Sequence, residues 1–493
     1  MDMQYLQIAV FFLISGLIGL ATYFKCRDAK KSEDHSVKGE NKEVFLAGGG
    51  LSWIFVAGSI TLTNLSTDQL VGMNGNQMAL LVWWEFAAVI GLIILAKVFL
   101  PVYYRYGCTT TTELLEKRYK DHRIRALVSI LFLLGNIFIY LPVMLYGGSL
   151  FMQTMFNVDL PIIVLAVAFA LVGAAYAVFG GLRAVAVSDT YSGVLLLGLG
   201  LLVVFLALKA INFDFSGIPA ERLTLIGDKD SPIPWTTLFT GMIFIQTYYW
   251  STNQTITQRA MASPSLEEGQ KGVYVAAIVR LMIVPPLIVL PGIVSYKLYG
   301  NIGDAAYGRI VGDVLPMWLS GAFAAAIAAA VLTSFNSVLN SSTALYVCDI
   351  HEKYFGKVAN VPKLNAVITM GFVCIALLLV PVYSGAVSII NLLQQLNGLL
   401  SMPILSAFIV GLLFKNVDAR AAIIAVVVGV LEYAVFTFVW TPTHYIHLMF
   451  VTLICCVAIA LIANRFLFGG HTELVFGQVK KLSNDDHHVT SMK

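Results

Sequence analysis

The chain has 493 residues, 58% of them hydrophobic and only 12% charged, with a formal net charge of +3 and a mean hydropathy of +0.81. A soluble protein carries about twice that share of charge, so a soluble enzyme is excluded, and so small a net charge implies no nucleic-acid partner.

Apolar stretches of bilayer-spanning length, roughly 20 residues each, recur along the whole chain. They are expected near 4–24, 51–73, 79–103, 126–155, 160–180, 188–211, 235–258, 272–296, 310–347, 365–382, 386–414, 421–440 and 445–464, thirteen in all. The first opens on Met1-Asp2-Met3 with no basic residue ahead of it, and Lys25-Cys26-Arg27 follows where small residues would mark cleavage. It reads as a retained helix rather than a signal peptide. Alternate loops carry 24 Lys and Arg residues and the opposite loops 4, with Lys97, Lys209 and Arg280 inside spans. The positive-inside rule then puts the N-terminus outside and the C-terminus in the cytoplasm. An odd number of spans agrees with that.

Polar interruptions divide the chain further. The span 51–73 contains Thr61-Leu62-Thr63-Asn64-Leu65-Ser66-Thr67-Asp68-Gln69 and is expected to break around Asn64–Ser66. Hydroxyls, an amide and a carboxylate at bilayer depth mark the place where a transporter holds its ion and its solute. The span 235–258 is expected to break around Gln246-Thr247-Tyr248-Tyr249-Trp250-Ser251-Thr252-Asn253. Each opens a group of five spans, 51–211 and 235–414, and because five is odd the second group enters the membrane from the opposite side. The expected fold is an all-α polytopic membrane protein with a 5+5 inverted repeat whose first and sixth core helices are broken. Around the repeat lie an extra N-terminal helix and cytoplasmic linker (1–50), an extracellular loop (212–234), two C-terminal helices (415–466) and a cytoplasmic tail (467–493). Gly180-Gly181 is expected to end one span before a short basic turn, Pro285-Pro286 to kink another, and the polar tail to be disordered.

Within span 310–347, Ala330, Thr333, Ser334, Ser337 and Ser341 recur at spacings of three and four and share one helical face, with Asn336 at its edge. Hydroxyls and carbonyls freed near Leu62–Leu65 suit Na⁺, a hard cation; alternatively, small polar residues simply allow close helix packing. Asp189, beside Ser188, is either a cap at a helix N-terminus or a second cation ligand facing Thr333 and Ser337. Glu85 follows Trp83-Trp84 inside an apolar span, and two aromatics beside a carboxylate suit a polyol, with Gln69, Gln246, Gln394 and Gln395 as further donors and acceptors. Interhelical hydrogen bonding is the alternative use for each amide. Arg280 must pair with an acid or a ligand, or reach water. Glu432 reads as a structural partner, and His444-x-x-His447 lacks the third ligand a metal site needs. No phosphate loop, His-Glu-x-x-His or nucleophile elbow is present.

Three stretches carry a resemblance. They are Phe45-Leu46-Ala47-Gly48 leading to Asn64–Met73, Tyr176-Ala177-Val178-Phe179-Gly180-Gly181-Leu182-Arg183-Ala184-Val185 with Asp189, and Tyr248-Tyr249-Trp250 with Asn253-Gln254 and Gln258-Arg259. Over about 40–430 the chain resembles the solute:sodium symporters, most closely their bacterial sodium/galactose (sodium/glucose-type) branch. The resemblance implies the LeuT-like fold and a sodium site made by the carbonyls of Leu62, Leu65 and Ala330 with the hydroxyls of Thr333 and Ser334. A second sodium site, found in some members of that family, would use Asp189, Thr333, Asn336 and Ser337. Sugar contacts would fall on Gln69, Glu85, Gln246, Arg280 and Gln394, with Tyr249 as inner gate and Met73 and Trp84 as outer gate. Where the galactose branch has lysine, asparagine, serine, tyrosine and phenylalanine, this chain has Arg280, Gln246, Ala88, Trp84 and Ile390. The arginine leaves room for an acidic sugar.

The function expected is sodium-coupled symport of a small sugar-like solute, such as galactose or glucose, across the inner (plasma) membrane by alternating access. Sodium ions, the solute and the lipid bilayer are its partners. A carboxylated solute (sialic acid, uronate or monocarboxylate) is the alternative, and a solute-sensing or channel-like membrane protein is a third.

Overall fold

In a computed structural model, which describes residues 3–32 and 45–475, the chain is a mostly helical bundle. Among the described residues ten helices are long and apolar enough to cross a membrane, and Ile162–Ala175 is a shorter apolar one. With the two interrupted helices described next, they account for the thirteen expected spans.

The first interrupted helix runs Trp53–Asn64, leaves helical geometry at Leu65 (φ −78°, ψ 63°) and Ser66 (φ −101°, ψ −174°), and resumes as Thr67–Gly75. The second runs Gly241–Ser251, breaks at Thr252 and Asn253, and resumes as Gln254–Met261. In the proline-containing span, Leu266–Met282 gives way at Ile283 to Val284–Tyr299. Pro285 and Pro286 thus fall in a first turn, where a missing N–H breaks no ladder.

The segment expected as two spans, 160–180 and 188–211, carries helical geometry without interruption from Ile162 to Ala210. Straight, 49 residues would reach more than 70 Å, over twice the hydrocarbon thickness. The packing shows that it is not straight. Gly173 lies against Phe335 and Asn336, while Gly193 lies against Leu62, whose carbonyl accepts a hydrogen bond from Ser334. Gly173 therefore packs on the helix Met317–Ala344 and Gly193 on the residue that Ser334 of that helix bonds, so the two arms lie near one level of the central helix.

Met317–Ala344 sits at the centre of the bundle, with nearly all of its side chains buried. Its alanines and serines let neighbouring backbones approach closely. Ala9–Cys26 is peripheral and exposes Phe12, Leu13, Leu17 and Leu20, as a lipid-facing helix does. At the C-terminal end the expectation of disorder needs correcting. Glu473–Leu474 pairs antiparallel with Phe414–Lys415, and Val475 N donates to Leu413 O. Residues 476–493 of the tail and 33–44 of the N-terminal linker lie outside the described residues.

Candidate solute and cation site

The first break meets the central helix side by side. Ser334 Oγ donates to the Leu62 carbonyl at 3.1 Å, and Thr333 Oγ1 donates to the carbonyls of Ala329 (2.9 Å) and Ala330 (3.2 Å). Leu65, Ala330 and Ser334 are fully buried. The oxygens named for the first cation site thus lie on two facing segments, with the hydroxyl hydrogens turned onto carbonyls. A cation bound there would take the carbonyl lone pairs and turn those hydrogens away, exchanging hydroxyl–carbonyl bonds for ion–oxygen contacts.

Asp189 lies inside its helix and is fully buried, so it is not an N-terminal cap. Ser59 Oγ donates to its Oδ2 at 2.5 Å. The Thr63 and Thr333 hydroxyls lie close to the carboxylate, although Oδ1 has no hydrogen-bond partner. Ser337 Oγ and Thr63 Oγ1 are 3.3 Å apart, and both polar atoms of the buried Asn336 side chain are unpartnered. One neighbour was not anticipated. The buried Arg259 donates through Nε to Ser59 Oγ at 3.3 Å, which places a fixed positive charge one hydroxyl away from Asp189.

Just past the first break is a cavity of about 40 Å³, room for a few waters. Gln69, Met73, Trp84, Glu85, Gln246, Tyr249 and Gln394 all line it. Glu85 is its most constrained polar group. Gln69 Nε2 donates to Oε1 at 2.5 Å and Arg280 Nη1 to Oε2 at 2.5 Å. Arg280 itself stands behind Glu85, off the cavity wall. Its Nη2 donates to the Thr61 carbonyl at 3.1 Å, and its guanidinium lies 4.6 Å from the Trp250 ring centre. One arginine therefore joins the cavity carboxylate to the helix that ends at the break. Gln246 is also held at both ends, by Trp84 O (2.9 Å) and Trp250 Nε1 (2.8 Å). Asn64 Nδ2 donates to the Tyr249 hydroxyl at 2.9 Å, closing the cavity beside the break.

Several lining residues escaped the sequence reading: Tyr140, Ile245, Leu393, Asn397 and, as a solute contact, Asp68. Tyr140 ends a π-helical segment, Asn136–Tyr140, a geometry that recurs at functional sites but leaves no periodic trace. Gln395 does not line the cavity. His447 hydrogen-bonds the Thr236 and Thr240 hydroxyls, far in sequence from these groups.

The comparisons with known proteins agree with this architecture. The model of the Sodium:solute symporter family matches residues 44–429. The chain is 34% identical over 489 residues to the uncharacterised symporter YidK of Escherichia coli (strain K12), covering 93% of this chain and 84% of that one. It is 30% identical over 470 residues to the sodium/glucose cotransporter of Vibrio parahaemolyticus, covering 87% and 84%. Among solved structures, the substrate-bound outward-open state of a Na⁺-coupled sialic acid symporter matches with a TM-score of 0.78 and 18% identity, over 94% of this chain and 98% of that one. At that identity the likeness concerns the fold.

Proposed function

The chain belongs to the sodium:solute symporter family, and on that premise we propose that it imports a small neutral sugar, a hexose such as glucose or galactose, on the sodium gradient. It is a multi-pass membrane transporter rather than an enzyme, and sodium is its coupling ion. The observation that carries the sugar reading is Glu85, held by Gln69 and Arg280 at a cavity wall that also presents Trp84 and Tyr249. Aromatic faces suit the C–H faces of a sugar ring, and amide and carboxylate oxygens suit its hydroxyls. The sodium/glucose cotransporter among its relatives supports the same choice. A carboxylated solute asks for a cation at the cavity wall, whereas Arg280 is already paired with Glu85.

In this reading the first sodium binds between Leu62, Leu65, Ala330, Thr333 and Ser334, and a second at Asp189, Thr333, Asn336 and Ser337. Sodium entry reorders the carbonyls of the first break. Arg280, bonded to both Thr61 and Glu85, carries that rearrangement to the solute. Opening of the Asn64–Tyr249 contact then releases solute and ions to the other side. The Lys and Arg asymmetry of 24 to 4 orients the N-terminus outside and the C-terminus inside the plasma membrane.

Purified protein in vesicles tests this directly. An inward sodium gradient should drive uphill accumulation of labelled glucose or galactose, and an equal potassium gradient should not. Downhill equilibration alone would identify a channel, and saturable binding without transport a sensor. Sodium-driven uptake of acidic sugars with none of hexoses would overturn the sugar assignment.

A further inference from the structure

Sorting the polar atoms around the cavity by what they still lack gives a one-sided result. Both oxygens of Glu85 and both ends of Gln246 are engaged. The amide nitrogens of Gln69 and Asn64 are committed to Glu85 and Tyr249. The buried lining atoms left without a partner are Asn64 Oδ1, Asp68 Oδ1, Gln69 Oε1 and the Tyr140 hydroxyl. Three of the four accept hydrogen bonds only.

Charge is one-sided as well. Glu85 is neutralised by Arg280, and among the described residues no Lys, Arg or His lines the cavity. Asp68 is the remaining carboxylate. It is only 6% exposed, it lies in the first turn of Thr67–Gly75, and no ion pair joins it among the described residues. The positive end of that helix favours an anion there, so a structural reason for Asp68 exists. A first-turn acid serves that role equally well pointing at lipid or at another helix. This one lines the cavity with an oxygen unused.

We propose that Asp68 is a specificity-determining residue of the transporter. It accepts a hydrogen bond from a solute hydroxyl or amine and rejects solutes that carry a negative charge. This deepens the sugar reading and rests on it: the cargo is a donor-rich sugar, neutral or amino-substituted, and sugar acids are excluded. Hydrogen bonds to an ionised acceptor are roughly twice as strong as neutral ones, and losing one lowers affinity by about ten- to a hundredfold.

The test uses solutes that share a ring and differ in charge: galactose, galactosamine and galacturonate, with the corresponding glucose series. Sodium-dependent binding and vesicle uptake are measured for the full-length protein and for Asp68→Asn. Asparagine keeps the shape and an acceptor oxygen, and a sodium-induced rise in melting temperature reports that the variant is folded. The wild type should prefer hexose and amino sugar over the uronate by tenfold or more. Asp68→Asn should lose the amino-sugar preference and narrow the hexose-to-uronate ratio at least tenfold. A wild type that takes uronate as readily as hexose, or a folded variant whose ratios do not move, overturns the role of Asp68 and leaves the sugar reading standing. If the variant does not fold, the wild-type ratios decide alone. If no sugar in the panel binds while sodium still raises the melting temperature, the sugar reading falls and this proposal with it.

Discussion

The two interrupted helices hold equivalent places in the two halves of the repeat, yet they treat their polar groups in opposite ways. At the second break the chemistry is closed. Asn253 Oδ1 accepts from Thr255 N at 3.0 Å, Thr252 Oγ1 donates back to Tyr248 O at 2.8 Å, and Ser251 O accepts from Tyr103 Oη at 2.8 Å. Gln254 Oε1 accepts from Thr111 N at 2.7 Å, and Thr255 Oγ1 meets Ser341 Oγ at 2.7 Å. At the first break Ser66 occupies the cap position without capping, and Ser66 Oγ, Asn64 Oδ1, Asp68 Oδ1 and Gln69 Oε1 are all unpartnered. Its carbonyls at Thr61 and Leu62 accept from Arg280 and Ser334, side chains of other helices that can turn away. A buried polar atom without a partner is unfavourable by about 1–3 kcal/mol. The second break is therefore saturated by the protein's own groups, and the first keeps buried polar atoms without partners. Symmetry of topology does not carry over to hydrogen bonding, and the proposed ion and solute sites lie where the bonding is incomplete.

The severest way to break this contrast is through Glu85. Glu85→Gln leaves Arg280 buried without its counter-charge, a change expected to cost about 3–5 kcal/mol. Sodium-driven uptake should be abolished and the thermal unfolding temperature should fall. A Glu85→Gln protein that unfolds and transports like wild type would mean that the Gln69–Glu85–Arg280 chain supports nothing. Next come Thr333→Ala and Ser334→Ala, each of which removes one oxygen from the proposed sodium site. The sodium concentration for half-maximal uptake should rise about tenfold or more. Thr252→Ala and Thr255→Ala, at the closed break, should leave it unchanged. Equal sodium sensitivity at the two breaks would erase the distinction. Asp189→Asn bears on ion number. If Asp189 offsets the charge of a second sodium, the reversal potential of uptake should report two sodium ions per solute in wild type and one in the variant. A one-to-one ratio in both would remove the second site.

Much of this fold is legible in the sequence. A polar run inside an apolar span has few explanations, and the first break falls at Leu65-Ser66, inside the stretch expected. The second break lies at Thr252-Asn253, the far end of its expected stretch. Within the helical stretch before it, Gln246, Tyr249 and Ser251 find partners on other segments at Trp84 O, Asn64 and Gly91 O, and composition does not reveal such partners. Arg280 had to meet an acid or a ligand. That the acid is Glu85, 195 residues away, is a tertiary fact. Asp189 was ambiguous for the same reason, since a cap and a buried ligand share one sequence signature beside a Gly-Gly pair. Arg259, just past the expected span 235–258, is fully buried near Asp189, a placement that no local pattern signals. The short strand at Glu473–Leu474 was missed because two residues of pairing carry no periodicity.

The smallest effect sharpens the comparison most, because it turns on two cap positions that look alike in sequence. Asn253 and Ser66 each precede the second half of a broken helix, and both residue types are favoured caps. Only Asn253 makes the cap bond; the Ser66 hydroxyl is buried and makes none. Asn253→Ala should therefore destabilise the protein by about 1 kcal/mol, a shift of no more than about 2 °C in a chain of this size. It should leave the sodium half-saturation where it was. Ser66→Ala removes a hydroxyl that bonds to nothing, so its melting temperature should stay level or rise slightly. Matched scans of the two variants at one heating rate, with and without sodium, decide the matter. If Ser66→Ala loses as much as Asn253→Ala in sodium-free buffer, the first break is closed by a partner of its own. The incomplete bonding that distinguishes it would then no longer account for where the ion and solute bind.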